Sequence, residues 1–89
     1  MDFEWDPVKA QSNATEHGVS FADTFAVFED PSAITIDDPH DEEDRSITLG
    51  MDAFGRILVV VYTWRGESIR IISARKAART ERCKYESGI

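Results

Sequence analysis

Arg56-Ile57-Leu58-Val59-Val60-Val61-Tyr62-Thr63-Trp64 is the stretch on which the fold turns. β-Branched and aromatic residues dominate it, and both of its alternating sets are apolar. Val59 and Val61 lie on one side, and Leu58, Val60 and Tyr62 on the other. A strand with two apolar faces is covered on both and sits centrally in its sheet. Downstream, Arg65-Gly66-Glu67 is a tight hairpin connection, and Ser68 to Ala74 is the returning strand. Upstream, Ala53-Phe54-Gly55 turns the chain. Before that turn, Arg45 to Met51 alternates Ile47 and Leu49 with polar neighbours, as a half-buried strand does. Ala33 to Ile36 supplies one more strand, and the short connections make the meander antiparallel.

The flanks read as helices. Phe3-Glu4-Trp5 is a short strand, and Asp6-Pro7 then provides an N-cap and a first helical residue. That helix runs to about His17, where Gly18 stops it. Ser20 caps a second helix, with Asp23 three residues on. Phe21, Phe25 and Phe28 recur at spacings of four and three, which marks a core face, and Asp30-Pro31 ends the segment. Arg75 to about Glu86 reads as a last helix. The expected fold is α+β, one domain over residues 1–89. It has a small antiparallel sheet (about a four-stranded meander plus a short N-terminal strand), two N-terminal helices and a C-terminal helix. Two helices cover one sheet face, which leaves the other to the last helix or to a partner.

Composition narrows the function. The 89 residues carry a formal charge of -7, unevenly distributed. Residues 1–50 hold 13 acids and two bases, whereas residues 51–89 hold eight bases and four acids. Overall acidity opposes nonspecific nucleic-acid binding, while the basic C-terminal part argues for a local anion site. Asp37 to Asp44 reads as a solvated acidic loop or as a dock for a basic partner. His40 with Asp37, Asp38 and Asp41 could hold a divalent cation, but no EF-hand or zinc spacing supports it, and no cofactor is expected. The longest apolar run, Ile57 to Tyr62, is far short of the roughly 18 residues of a membrane helix. The acidic N-terminus lacks a signal-peptide pattern, and Cys83 has no cysteine partner. A reducing, cytoplasmic location is the expectation.

Two constellations carry the candidate chemistry. Lys9, Asn13 and His17 recur every four residues on the first helix, so an ammonium, an amide and an imidazole share a stripe. They could bind phosphate and move a proton, or be an ordinary surface stripe whose His17 suits the helix C-terminus. Arg70 leaves its strand on the face opposite Ile69 and Ile71. Arg75, Arg79 and Arg82 would share a helical face. Guanidinium forks suit phosphate, though these arginines could equally pair with Glu81, Glu86 and the acidic loop. Tyr85 reads as a packing ring with a wet hydroxyl.

The same residues resemble a known family. Phe3-Glu4-Trp5-Asp6-Pro7, Lys9-Ala10, Asn13 and His17-Gly18-Val19-Ser20-Phe21 are similar to the opening of the BrnT toxins. Phe28-Glu29-Asp30-Pro31, Gly50, Gly55-Arg56 and Leu58 to Tyr62 follow in family order. Arg70-Ile71-Ile72-Ser73-Ala74-Arg75-Lys76-Ala77 with Arg79, Glu81 and Tyr85 resembles its closing motif. The resemblance implies a RelE-like fold and a type II toxin that cleaves RNA and arrests growth. It also implies neutralisation by a BrnA-like ribbon-helix-helix antitoxin, whose complex binds operator DNA, with a dimer of toxin–antitoxin heterodimers as one assembly.

RNA cleavage without metal uses the 2′-hydroxyl as nucleophile and requires proton transfer and charge stabilisation. His17 is the first candidate for proton transfer, with Tyr85 and Glu81 as alternatives. Arg70 and Arg75 are candidates for phosphate stabilisation, and Lys9, Arg79 and Arg82 for RNA binding. The rival expectation is a noncatalytic module that acts only by binding a partner.

Overall fold

A computed structural model describes residues 2–38 and 44–88. His40 and Asp41 of the candidate cation site lie outside these residues. The element order is β1 (Asp2–Glu4), α1 (Pro7–His17), a 3-10 turn (Phe21–Thr24), α2 (Phe25–Glu29), β2 (Ile34–Asp37), β3 (Ser46–Met51), β4 (Ile57–Arg65), β5 (Ser68–Lys76) and α3 (Arg79–Ser87). One five-stranded sheet has the order β1-β5-β4-β3-β2. The meander β2 to β5 is antiparallel as expected. β1 joins it parallel to β5, with Phe3 opposite Ile69, so the sheet is mixed.

Local chemistry accounts for the helix ends. The Asp6 carboxylate accepts the Val8 N–H at 2.9 Å, Pro7 fills the first helical position, and Gly18 closes α1 at φ 67°. The helix expected after Ser20 divides in two. The Thr24 hydroxyl donates to the Phe21 carbonyl at 2.6 Å within a tight 3-10 turn, and only five residues of α2 follow.

Each sheet face has its own cluster. On one, Leu58, Val60 and Tyr62 of β4 and Ile69, Ile71 and Ala74 of β5 pack with Val19, Phe21 and Val27. Phe3, Trp5, Ala10 and Phe28 close around them. Of the phenylalanine stripe, Phe21 is fully buried, while Phe25 stacks on Phe3 at 4.4 Å and remains half exposed. On the other face, Leu49, Ile57 and Val59 pack with Ile34, Ile47, Ala77 and Tyr85. Gly50 permits close approach of α2: a Cβ there would lie 2.9 Å from the Val27 side chain.

β5 and α3 depart from the sequence reading in a way that matters for function. β5 continues through Lys76, and the Ala77 N–H still donates to the Ile57 carbonyl at 2.9 Å. This pairing keeps the chain extended, and α3 begins only at Arg79. Arg75 is therefore a strand residue, and the expected helical face joining it to Arg79 and Arg82 does not form.

Candidate nucleic-acid interface

Strand register sets the direction of each arginine. A bulge interrupts the β4–β5 ladder: Val61 opposes Ser73, whereas Tyr62 opposes Ile71. In a regular strand, Arg70 and Arg75 are five apart and would point to opposite faces. The extra residue changes the parity. Arg70 now opposes Thr63 and Arg75 opposes Val59, so both arginines project from the Val59 face. Ile69, Ile71 and Ala74 keep to the other face and the first cluster.

Arg75 is held as a fork. Its Nη1 and Nη2 donate to the two Glu81 carboxylate oxygens at 2.8 and 2.9 Å. Glu81 Oε1 also accepts the Ala78 N–H at 2.7 Å, opening α3. The hydrogen bonds from Arg75 hold the Glu81 carboxyl below its ordinary value against the opposing effect of burial. The same pairing raises the Arg75 pKa. Arg70 is held more loosely, 3.8 Å from the Glu4 carboxylate.

Glu81 and Tyr85 stand one turn apart on α3. The Tyr85 ring packs on the second cluster, and its hydroxyl donates to Asp30 Oδ2 at 2.5 Å. It is thus not the wet hydroxyl the sequence suggests. The bond to Asp30, then burial and the carboxylate charge, push the Tyr85 pKa up. Burial alone would raise Asp30, but bonds from Tyr85, the Met51 N–H and the Ser32 N–H leave it below its ordinary value. Beside α3, a groove of about 480 Å³ crosses Ile34, Ile36, Ile47, Leu49 and Val59, edged by Glu81 and Lys84.

The first-helix stripe separates into different environments. Asn13 is buried: its amide nitrogen donates to the Ala74 carbonyl at 2.8 Å and the Val19 carbonyl at 3.0 Å, and its oxygen accepts the Ala74 N–H at 3.1 Å. It is a structural clamp that satisfies the β5 edge beyond the three residues of β1. Lys9 is exposed. His17 meets the Glu16 carboxylate at 3.7 Å. α1 packs through Ala10 onto the first cluster, whereas Arg70 and Arg75 project from the opposite face, so the helix that carries His17 and both arginines lie on different sides of the sheet. Arg79 and Arg82 are exposed on α3. The structure thus brings Arg75, Glu81 and Tyr85 along one helix–sheet seam, with Arg70 on the same sheet face. Asp30 as the Tyr85 acceptor went unread, because Asp30-Pro31 gives only a helix-stop signal in sequence.

A five-stranded α+β domain with a cationic, partly helix-covered sheet face is the class these features define. The family model described as "Ribonuclease toxin, BrnT, of type II toxin-antitoxin system" matches residues 5–81. Among solved structures, the crystal structure of the Brucella abortus ribonuclease toxin BrnT is similar. It has 32% sequence identity and a TM-score of 0.73, covering 89% of this chain and 99% of that one. A comparison with curated proteins found no match. The chain belongs to the BrnT family of ribonuclease toxins of type II toxin–antitoxin systems. Membership implies RNA as substrate and an antitoxin as partner. Among the described residues, no helix is long and apolar enough to cross a membrane.

Proposed function

We propose that this chain is a cytoplasmic, metal-independent endoribonuclease whose phosphate-stabilising groups are Arg70 and Arg75. The observation that carries the reading is the β5 bulge, which turns both guanidinium groups onto one sheet face, with Arg75 beside α3 and Arg70 beside β1. The RNA 2′-oxygen attacks the adjacent phosphorus, the bond to the 5′-oxygen breaks, and a 2′,3′-cyclic phosphate and a 5′-hydroxyl result. One proton leaves the 2′-hydroxyl and one reaches the 5′-oxygen. Glu81 is the proton acceptor in this reading, placed by its fork with Arg75. Tyr85 is the donor, one turn further along α3. His17, on the opposite face with α1, does not reach the same proton, and its part in this reading is to contact RNA that extends around to α1. Lys9, Arg79 and Arg82 supply exposed positive charge for the RNA backbone. The partner in this reading is a BrnA-like ribbon-helix-helix antitoxin, with operator DNA bound through the complex and a dimer of heterodimers as the assembly.

Incubating purified protein with RNA, with and without chelator, followed by end-group analysis, tests the chemistry. Cyclic-phosphate ends that persist with chelator are expected. Arg75→Ala should lower the cleavage rate by about 10²–10³, the usual effect of losing one charge-stabilising donor. Chelator-sensitive cleavage, or wild-type rates from both Arg75→Ala and Tyr85→Phe, overturns the assignment.

A second reading has its own observation: Arg70 and Arg75 already carry carboxylate partners, and the chain is acidic. A noncatalytic module would keep these pairs and act through the antitoxin complex. Expressing the chain alone in a bacterium separates the two. Growth arrest with shortened transcripts supports the enzyme, and harmless expression with a stable antitoxin complex supports the module.

A further inference from the structure

We propose that the apolar groove beside α3 is the docking site of the antitoxin. Its occupant is an amphipathic helix with an aliphatic stripe and basic residues on its flank. This rests on the family's antitoxin partnership, and on the nuclease reading only for the inhibition that docking brings.

Strand register builds the groove in two rows. Ile34, Leu49, Val59 and Arg75 stand abreast across β2, β3, β4 and β5, and Ile36 and Ile47 begin the next row. α3 covers only one end of this face. It follows Ala77, which is bonded to Ile57, and its Tyr85 reaches Asp30 ahead of β2, so it crosses the strands at that end. Rows on one face repeat every two residues, about 6.7 Å, and helices pack about 8–10 Å apart. A second helix alongside α3 therefore lies over the two aliphatic rows, in a groove of about 480 Å³. Ile36 is 56% exposed at the outer end, where β2 is the edge strand.

Charge and side-chain chemistry select the occupant. The connection from β2 to β3 leaves and returns at the outer end of the groove, where the Asp38 N–H donates to the Arg45 carbonyl at 2.8 Å. Six of residues 37–44 are acidic. That charge repels RNA, and among the described residues lining the groove none is an aromatic ring on which a base could stack. It also repels a second copy of this chain, which brings an identical acidic run and a net charge of -7. A helix with a basic flank complements the run, and the aliphatic rows receive its apolar face. The inner end of the first row is Arg75, forked to Glu81 on the edge of the groove. A helix filling the groove thus covers the guanidinium that the nuclease reading assigns to the phosphate, so docking and neutralisation are one event.

The test uses the full chain and its purified cognate antitoxin, with association and dissociation followed by surface plasmon resonance. Ile36→Glu should weaken binding about 30-fold, the effect of losing one apolar anchor, and Ile36→Leu should keep it. Cleavage of RNA by the free Ile36→Glu chain should match the parent. Asp41→Asn, Glu42→Gln, Glu43→Gln and Asp44→Asn together should slow association about 10-fold at low salt and flatten its salt dependence. Parent affinity for the antitoxin in Ile36→Glu overturns the docking site. Cleavage lost in Ile36→Glu with antitoxin affinity unchanged assigns the groove to RNA and overturns it as well. So does a dimer of the chain alone that Ile36→Glu dissociates, which assigns the face to a second copy. Antitoxin binding lost in Ile36→Glu and kept in Ile36→Leu, with a parent chain that cuts no RNA, supports the groove and overturns the nuclease reading instead.

Discussion

Ala74 keeps its backbone paired because Asn13 reaches it. The amide both donates to and accepts from Ala74, as a neighbouring peptide group would, and a third bond fixes Val19. Asn13→Ala would strand a buried N–H and two carbonyls, at a cost of about 3 kcal/mol. Urea denaturation of the purified variant should show that loss. Asn13→Asp should recover little, since a carboxylate would face two carbonyl oxygens. The sequence could not separate this role from a catalytic one. Spacing puts Lys9, Asn13 and His17 on one stripe, but only the tertiary fold decides that the middle member points inward.

At the level of elements, the strand β5 and the helix α3 hold the side chains of the proposed site. The bulge was illegible in sequence because Ile69, Ile71 and Ala74 break period two without a glycine or proline to mark the place. Ile72 is the unpaired residue, so deleting it should leave a regular ladder that keeps Ile69, Ile71 and Ala74 on one face and Arg70 and Arg75 on the other. Thermal unfolding followed by circular dichroism should therefore stay cooperative. The end of β5 is hidden in the sequence for a related reason: Arg75 to Glu86 has helical composition, yet pairing with Ile57 and its neighbours holds Arg75 to Ala77 extended.

α3 buries none of its residues fully and is tied down largely by Glu81 and Tyr85. This gives a pH signature. Folded Asp30 binds its proton less readily than unfolded Asp30, so between those pKa values the unfolded chain carries more protons and stability rises with pH. That contribution is complete above about pH 4 and is lost as acid titrates the folded carboxyl. Tyr85 has the opposite sign: its raised pKa gives stability complete below about pH 10 and lost as pH climbs through the folded value. Tyr85→Phe should cost about 1.5 kcal/mol at neutral pH. It should also flatten both limbs of a stability–pH curve measured by denaturant titration.

For the whole molecule, the central strand was the most legible feature. Two apolar faces on Leu58 to Tyr62 placed β4 mid-sheet, and both clusters form around it. What joins the hairpins to the helices was not legible. Asp52, whose side chain is fully buried, binds Arg56 at 2.7 Å, and Arg56 continues to Asp23 at 2.8 Å and to the Gly18 carbonyl at 3.2 Å. This clip ties the β3–β4 turn to the junction after α1. Asp52→Ala should cost about 3 kcal/mol or more, since it leaves a partly buried guanidinium and two turn N–H groups short of an acceptor. Differential scanning calorimetry would show it. No helical or strand period predicts a carboxylate–guanidinium contact between residues 33 apart.

The parallel strand β1 has a consequence for synthesis. Residues 2–4 find their partner only in residues 68–70, and Asn13 waits for Ala74, 61 positions later. A nascent polypeptide interrupted before that point has neither its outermost rung nor its amide clamp. Both contacts therefore close only after the fifth strand has been made, and the amino-terminal edge is among the last parts of the sheet to be completed.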